Sequence, residues 1–253
     1  MPPLTGTTLT DTSPIPDRER WVARVRAAEA AGVDVVVIEP GPADAALVAA
    51  LVAARTERIG ILVRIATAVT EPFHVSTQLA TIDVVSGGRA GWLVEVGALD
   101  GRTTTWPAPA GDGTADAAEH VDVVRALWDS WEDGAEVRDA AAGRFLDRSR
   151  VHHVDHVGEH LAIRGPSITP RPPQGNLPVV AAGPLAARVG ADVVVGDAAP
   201  ADGSPWLRLV AGADDAAAFA AAAALASGAG GPLRERFGLP EAVNRFAAAA
   251  GAR

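Results

Sequence analysis

Ile59-Gly-Ile-Leu-Val-Arg-Ile-Ala-Thr67, an amphipathic interval from Phe73 to Val85, and Gly91-Trp-Leu-Val-Glu-Val-Gly97 decide the fold. The first and third segments are rich in branched apolar residues on both faces, which marks strands buried on both sides. The interval between them has helical length and ends at Gly87-Gly88, a helix stop. Strand, helix and strand in that order form a unit of a parallel sheet.

The same alternation continues outward. Val33-Asp-Val-Val-Val-Ile-Glu39 reads as a buried strand, as do 178–183, 191–197 and 206–212, with a short first strand over Thr7–Thr10. Helices are expected over 17–31, opened by a capping Asp17 and stopped at Gly32, and over 43–55, 73–85, 115–131, 214–227 and 240–250. Seven strands can be counted and an eighth is not evident. The expectation is one α/β domain over 1–253, a shortened (β/α) barrel, its sheet either closed or open; an incomplete barrel would leave strand edges or apolar surface that oligomerisation covers. Two irregular excursions, 98–114 and 132–176, interrupt it.

Composition narrows the chemistry. The chain has 253 residues, 48% of them hydrophobic, and a net charge of −9, which disfavours nucleic-acid binding. It contains no Cys, no Lys and no Tyr, so thiolate, Schiff-base and phenol chemistry are excluded. Acid–base work falls to Asp, Glu, Ser, Thr or six histidines, or to a cofactor in a pocket that the protein shapes. With no signal-peptide layout and no apolar run long enough to span a bilayer, the expected location is the cytoplasm.

Several motifs then carry a family resemblance. Glu71-Pro-Phe-His-Val75 through Ser86-Gly-Gly-Arg-Ala-Gly-Trp92, Thr56-Glu-Arg-Ile-Gly60, Leu127-Trp-Asp-Ser-Trp-Glu-Asp133, His153-Val-Asp-His156, Gly158-Glu-His160 and Pro170-Arg-Pro-Pro-Gln-Gly175 occur along the chain. The chain resembles the luciferase-like flavin-dependent monooxygenases. Within them it is similar to the branch of nitrilotriacetate, EDTA and sulfone monooxygenases and antibiotic-synthase oxidases. Its length and Leu233-Arg-Glu-Arg-Phe-Gly-Leu239 are similar to the small subunits of streptogramin-antibiotic synthases.

The resemblance implies a bacterial-luciferase-type barrel and chemistry with reduced FMN and oxygen, the FMN coming from a separate NAD(P)H:FMN reductase. For the small subunits it implies a larger flavin-binding partner and oxidation (dehydrogenation) of a proline-derived unit. Two further readings stay open: a free-standing FMN or deazaflavin oxidoreductase acting as a homodimer, and a non-catalytic barrel that binds a small molecule or carrier-bound intermediate.

The departures are specific. Where the family has an acidic Asp after its second strand, this chain has Ile38-Glu39-Pro40. Leu93 replaces an amide and Val96-Gly97 replaces a Thr-Ser pair. Gly183-Pro-Leu-Ala-Ala-Arg188 replaces the Ser-rich loop that holds the FMN phosphate.

Candidate site residues follow from position. His74, after the third strand, is either an acid–base group or a helix-start histidine bonded to backbone. Thr67 and Thr70 are the polar groups best placed to touch a cofactor, with Gly183 and Arg188 at the phosphate end. Arg89 reads as a structural bridge, and Glu95 as a structural partner of Arg64. Trp128 and Trp131 read as packing. Arg171-Pro-Pro-Gln-Gly175 reads as a rigid connection. His152, His156 and His160, spaced by four, would share a face only on a helix, and Gly158 argues against one, so no metal site is expected.

Overall fold

A computed structural model describes residues 3–13, 17–97 and 112–251. Its core is a closed barrel of seven strands, every neighbouring pair parallel. In chain order the barrel strands and the first helices are β1 (Leu4–Leu9), α1 (Arg18–Ala31), β2 (Val35–Ile38), α2 (Ala45–Ala53), β3 (Gly60–Ala66), α3 (Pro72–Ser86), β4 (Ala90–Glu95) and α4 (Thr114–Asp129). Two small hairpins follow, β5 (Glu136–Asp139) with β6 (Arg144–Leu146), and β7 (His156–Val157) with β8 (Ala162–Ile163). The barrel then resumes with β9 (Val179–Ala182), α5 (Gly183–Arg188), β10 (Val193–Val195), β11 (Trp206–Leu209) and α6 (Asp215–Ala223). Two short helices end the chain, α7 (Leu233–Arg236) and α8 (Arg245–Gly251).

Around the ring the order is β1-β11-β10-β9-β4-β3-β2, and β2 returns to β1. Of the open and closed sheets that the alternation allows, the chain forms the closed one. Seven strands among the described residues leave no open edge, because β1 pairs directly with β11 at Leu4↔Leu207 through Gly6↔Leu209. The excursion over 132–176 holds two hairpins, and residues 98–111 of the other lie outside the described residues.

Strand alternation separates two cores. One face of each strand packs outward under the helices, as with Val36, Ile61, Val63, Trp92 and Ala181. The other fills the lumen: Leu4, Val35, Val37, Leu62, Leu93, Val180, Val193 and Leu207 bring at least one side chain from every strand. This double burial is why the strands read as uninterrupted valine runs.

Local chemistry sets the element ends. Asp17 and Asp44 accept backbone N–H groups at the starts of α1 and α2, and Gly32 ends α1 in the left-handed region with φ of 92°. Buried Arg89 gives hydrogen bonds to Ser86 O, Ile59 O, Ala53 O, Thr56 O and Thr56 Oγ1, which makes it the bridge before β4 that the sequence suggests. The Trp128 indole donates to Ser76 O and the Trp131 indole to Ser167 O. Both rings pack structure, as read from sequence.

The lower, N-terminal end of the barrel is stoppered by α7, which the sequence reading missed. Fully buried Leu233 enters the lumen between Gly60 and Gly91, where an added Cβ would lie 2.8 Å and 3.3 Å from its methyl groups. Arg236 pairs with the buried Asp34 carboxylate, which also accepts N–H groups from Thr5, Ser227 and Gly228. Gln174 of the proline-rich segment receives the Arg234 N–H and donates to Asp83 of α3, so that segment connects the stopper to the wall. Burial pushes the Asp83 carboxyl up to about 6, against the N–H groups of Gln174. Leu233→Ala is expected to cost about 2–5 kcal/mol through the cavity it leaves. Urea unfolding of the variant at unchanged m value measures it.

Candidate functional site at the barrel mouth

The strands all run toward one end, the C-terminal mouth, where sites of parallel barrels lie. Above the apolar lumen layer, alternation places Thr8, Glu39, Arg64, Glu95, Ala182, Val195 and Leu209 on the inner face. The last three make its β9–β11 side apolar and partly open. The β2–β4 side is ionic. Arg64 Nε lies 3.0 Å from Glu39 Oε1, and Arg64 Nη1 lies 3.3 Å from Glu95 Oε2. Glu95 Oε1 also accepts the Val96 N–H at 3.2 Å. The Arg64–Glu95 pair expected from sequence is present, and Glu39 extends it. Among the described residues one guanidinium, that of Arg64, stands between two carboxylates.

The sequence candidates fall into two groups around that network. Thr67 is fully buried, and both its N–H (3.0 Å) and its hydroxyl (3.4 Å) point to Glu95 O. Thr70 lines a shallow cleft with Pro40, Asp44, Arg64 and Gln78. His74 stands exposed on the first turn of α3 and makes no hydrogen bond among the described residues. On the β9 side, Gly183 opens α5 at a φ of 51°, exposed, and Arg188 ends it with a hydrogen bond of 3.5 Å to Thr114 Oγ1. No hydrogen bond joins the two groups among the described residues.

These residues do not suit FMN. A phosphate needs converging N–H donors, hydroxyls or a cation. The 183–188 segment is a helix of six residues with no hydroxyl, and Pro184 lacks an N–H. Arg188 is turned to the start of α4. The Thr67 hydroxyl is committed to a carbonyl, and the Arg64 guanidinium to Glu39 and Glu95.

The histidines of the excursion do not converge. His152 Nε2 lies 2.7 Å from Glu132 and its ring stacks on Phe246, while His153 Nδ1 lies 2.9 Å from Gly165 O. His156 Nε2 lies 2.8 Å from Glu119, whose carboxylate also accepts the His160 and Leu161 N–H groups. Burial opposes the charge of Glu119, yet these hydrogen bonds hold its pKa below the ordinary value. The carboxylate thereby fastens the β7–β8 hairpin to α4. Among the described residues no group of three or more His, Asp or Glu is placed to hold a metal, and no helix is long and apolar enough to cross a membrane.

One buried titratable group escaped the sequence reading. His120 of α4 is fully buried against Trp92 of β4, ring centroids 5.8 Å apart, and both its nitrogens lack a partner among the described residues. Its signal was positional, since it takes an apolar slot beside Ala117, Val121 and Val124 on the buried stripe. Burial pushes its pKa down to about 3 from 6.5.

The geometry defines a class, a closed parallel α/β barrel whose mouth is held by an ion network. The profile of the luciferase-like monooxygenases matches residues 3–248, and the chain belongs to that family. It is 38% identical over 186 residues to one subunit of pristinamycin IIA synthase from Streptomyces pristinaespiralis, covering 70% of this chain and 62% of that one. Another subunit of the same synthase is 36% identical over 135 residues, 52% of this chain and 28% of that one. Component A of nitrilotriacetate monooxygenase from Aminobacter aminovorans is 39% identical over 167 residues, 62% of this chain and 37% of that one. The chain thus spans less than two thirds of these relatives. Among solved structures, EDTA monooxygenase from Chelativorans sp. BNC1 shares the fold with a TM-score of 0.63 at 22% identity, over 79% of this chain and 57% of that one.

His120 gives the fold an acid sensitivity. A base whose folded pKa is depressed adds stability that is fully present above its unfolded value of 6.5 and is lost as pH falls toward 3. Wild-type protein is therefore expected to lose on the order of a few kcal/mol over that window. His120→Leu should flatten the profile, as read from thermal melts at stepped pH. Parallel curves for the two proteins would refute the assignment.

Proposed function

We propose that this chain is the smaller subunit of a two-component, reduced-FMN-dependent monooxygenase or oxidase of secondary metabolism. A larger luciferase-like chain holds the flavin, and an NAD(P)H:FMN reductase supplies it reduced. The observation that carries this reading is the mouth itself. The family barrel is intact, but its phosphate end offers Pro184 and no hydroxyl, and its lumen side is filled by Glu39, Arg64 and Glu95. A barrel that keeps its shape while its described residues offer the phosphate so little suits a partner's stabiliser better than a free-standing enzyme.

The comparisons support the same direction. Two different subunits of one synthase resemble this chain, and the alignment covers 62% of the first but 28% of the second. By that similarity the substrate class is a streptogramin-type antibiotic intermediate, dehydrogenated at a proline-derived unit. The chain's own part is to hold the partner's barrel in its active conformation, since binding to one conformation raises its population.

Co-expression with a larger luciferase-like chain tests the reading. Flavin is expected to travel with the larger chain after the pair is separated, and product to form only when both chains and the reductase are present. Product formed by this chain and reductase alone would contradict it.

A further inference from the structure

One crossover between successive barrel strands carries no helix. Residues 196–205 pass from β10 to β11 as irregular chain, whereas every other crossover lays a helix on the outer wall. The outer face of a parallel strand is normally buried beneath such a helix. Here Trp206, the first residue of β11, alternates with lumen-facing Leu207, so it points outward, and it is only half-buried. A cavity of about 420 Å3 lies there, between the crossover, the start of β1 and the end of α7, at the stoppered end of the barrel. Its walls include Pro3, Leu4, Pro200, Ser204, Trp206 and Phe237. Small-molecule sites have volumes of this order.

The walls specify a ligand chemistry. No Asp, Glu or Arg lines the cavity, so a charged ligand would be left unpaired in it. The Trp206 and Phe237 rings and the prolines offer flat apolar surface. Both rings are held in place. Phe237 belongs to the lumen core. The Arg208 guanidinium lies over the Trp206 indole, 5.1 Å from the ring centroid, and donates to Asp197 O at 3.0 Å. The Trp206 indole N–H has no hydrogen-bond partner among the described residues. Ser204 gives its N–H, at 2.9 Å, and its hydroxyl to Asp202, which leaves the hydroxyl oxygen as an acceptor. One free donor and one free acceptor are the complement of an amide group.

We propose that this cavity is a ligand site separate from the mouth, and that it takes a neutral, flat aromatic lactam or amide. The ligand's ring lies against Trp206, its carbonyl accepts the indole N–H, and its own N–H donates to the Ser204 oxygen. The inference holds whether or not the chain carries flavin, because the cavity is at the end of the barrel opposite the mouth.

Calorimetric titration of oxindole, a neutral aromatic lactam, into the purified full chain tests this. Saturable binding is expected, with a dissociation constant on the order of 0.1 mM for a ligand of this size. The phenylacetate anion, of similar size, should bind at least about tenfold more weakly, because its charge finds no partner in the cavity. Trp206→Phe keeps an aromatic ring but removes the N–H, and should weaken oxindole about fivefold. Trp206→Leu should weaken it further, with thermal melts showing that both variants stay folded. No saturable heat at millimolar oxindole would overturn the proposal. So would equal affinity for phenylacetate, or an oxindole affinity that Trp206→Phe and Trp206→Leu leave unchanged.

Discussion

Closing seven parallel strands into a ring requires one set of side chains, drawn from every strand, to fill a shared lumen. The β1–β11 seam imposes this condition, and much of the molecule answers to it. Leu62, Leu93, Val180, Val193 and Leu207 meet in the middle. At the lower end Leu233 fits only because Gly60 and Gly91 carry no side chain. The Asp34–Arg236 pair and the Gln174 bridge then hold α7 in place. A buried ion pair of this kind gains little over an apolar contact, but it is costly to break one-sidedly.

The same constraint explains the mouth. Above the apolar layer, alternation leaves no choice about where Glu39, Arg64 and Glu95 point, so they converge and neutralise one another in part. In other barrels the inner face at this end serves ligands. Here Arg64 of the ionic side is paired from within with Glu39 and Glu95, while the 183–188 end offers no hydroxyl and no N–H at Pro184. The proposed role, a barrel whose architecture serves a larger partner, rests on that arrangement.

Much of this was legible in the sequence. The strands announced themselves through valine on both faces, and Asp17, Gly32 and Gly87 fixed helix ends. The Arg64–Glu95 pair followed from a lone carboxylate among valines. What escaped has physical reasons. Closure depends on pairing β1 with β11, about two hundred residues apart in the chain, and no local pattern encodes it. The stopper α7 and the turn α5 are too short to show periodicity. His120 hid in an apolar slot because a neutral imidazole can fill one, and Glu39 gained its meaning only when the lumen brought it to Arg64.

The central claim is that this barrel keeps the luciferase-like fold without a working FMN site. Anaerobic calorimetric titration of reduced and oxidised FMN into the purified chain addresses it most directly. The account predicts no saturable heat up to millimolar flavin. Saturable binding at micromolar concentration, abolished by Arg188→Ala or Thr70→Val, would contradict it and restore the reading of a free-standing flavin enzyme.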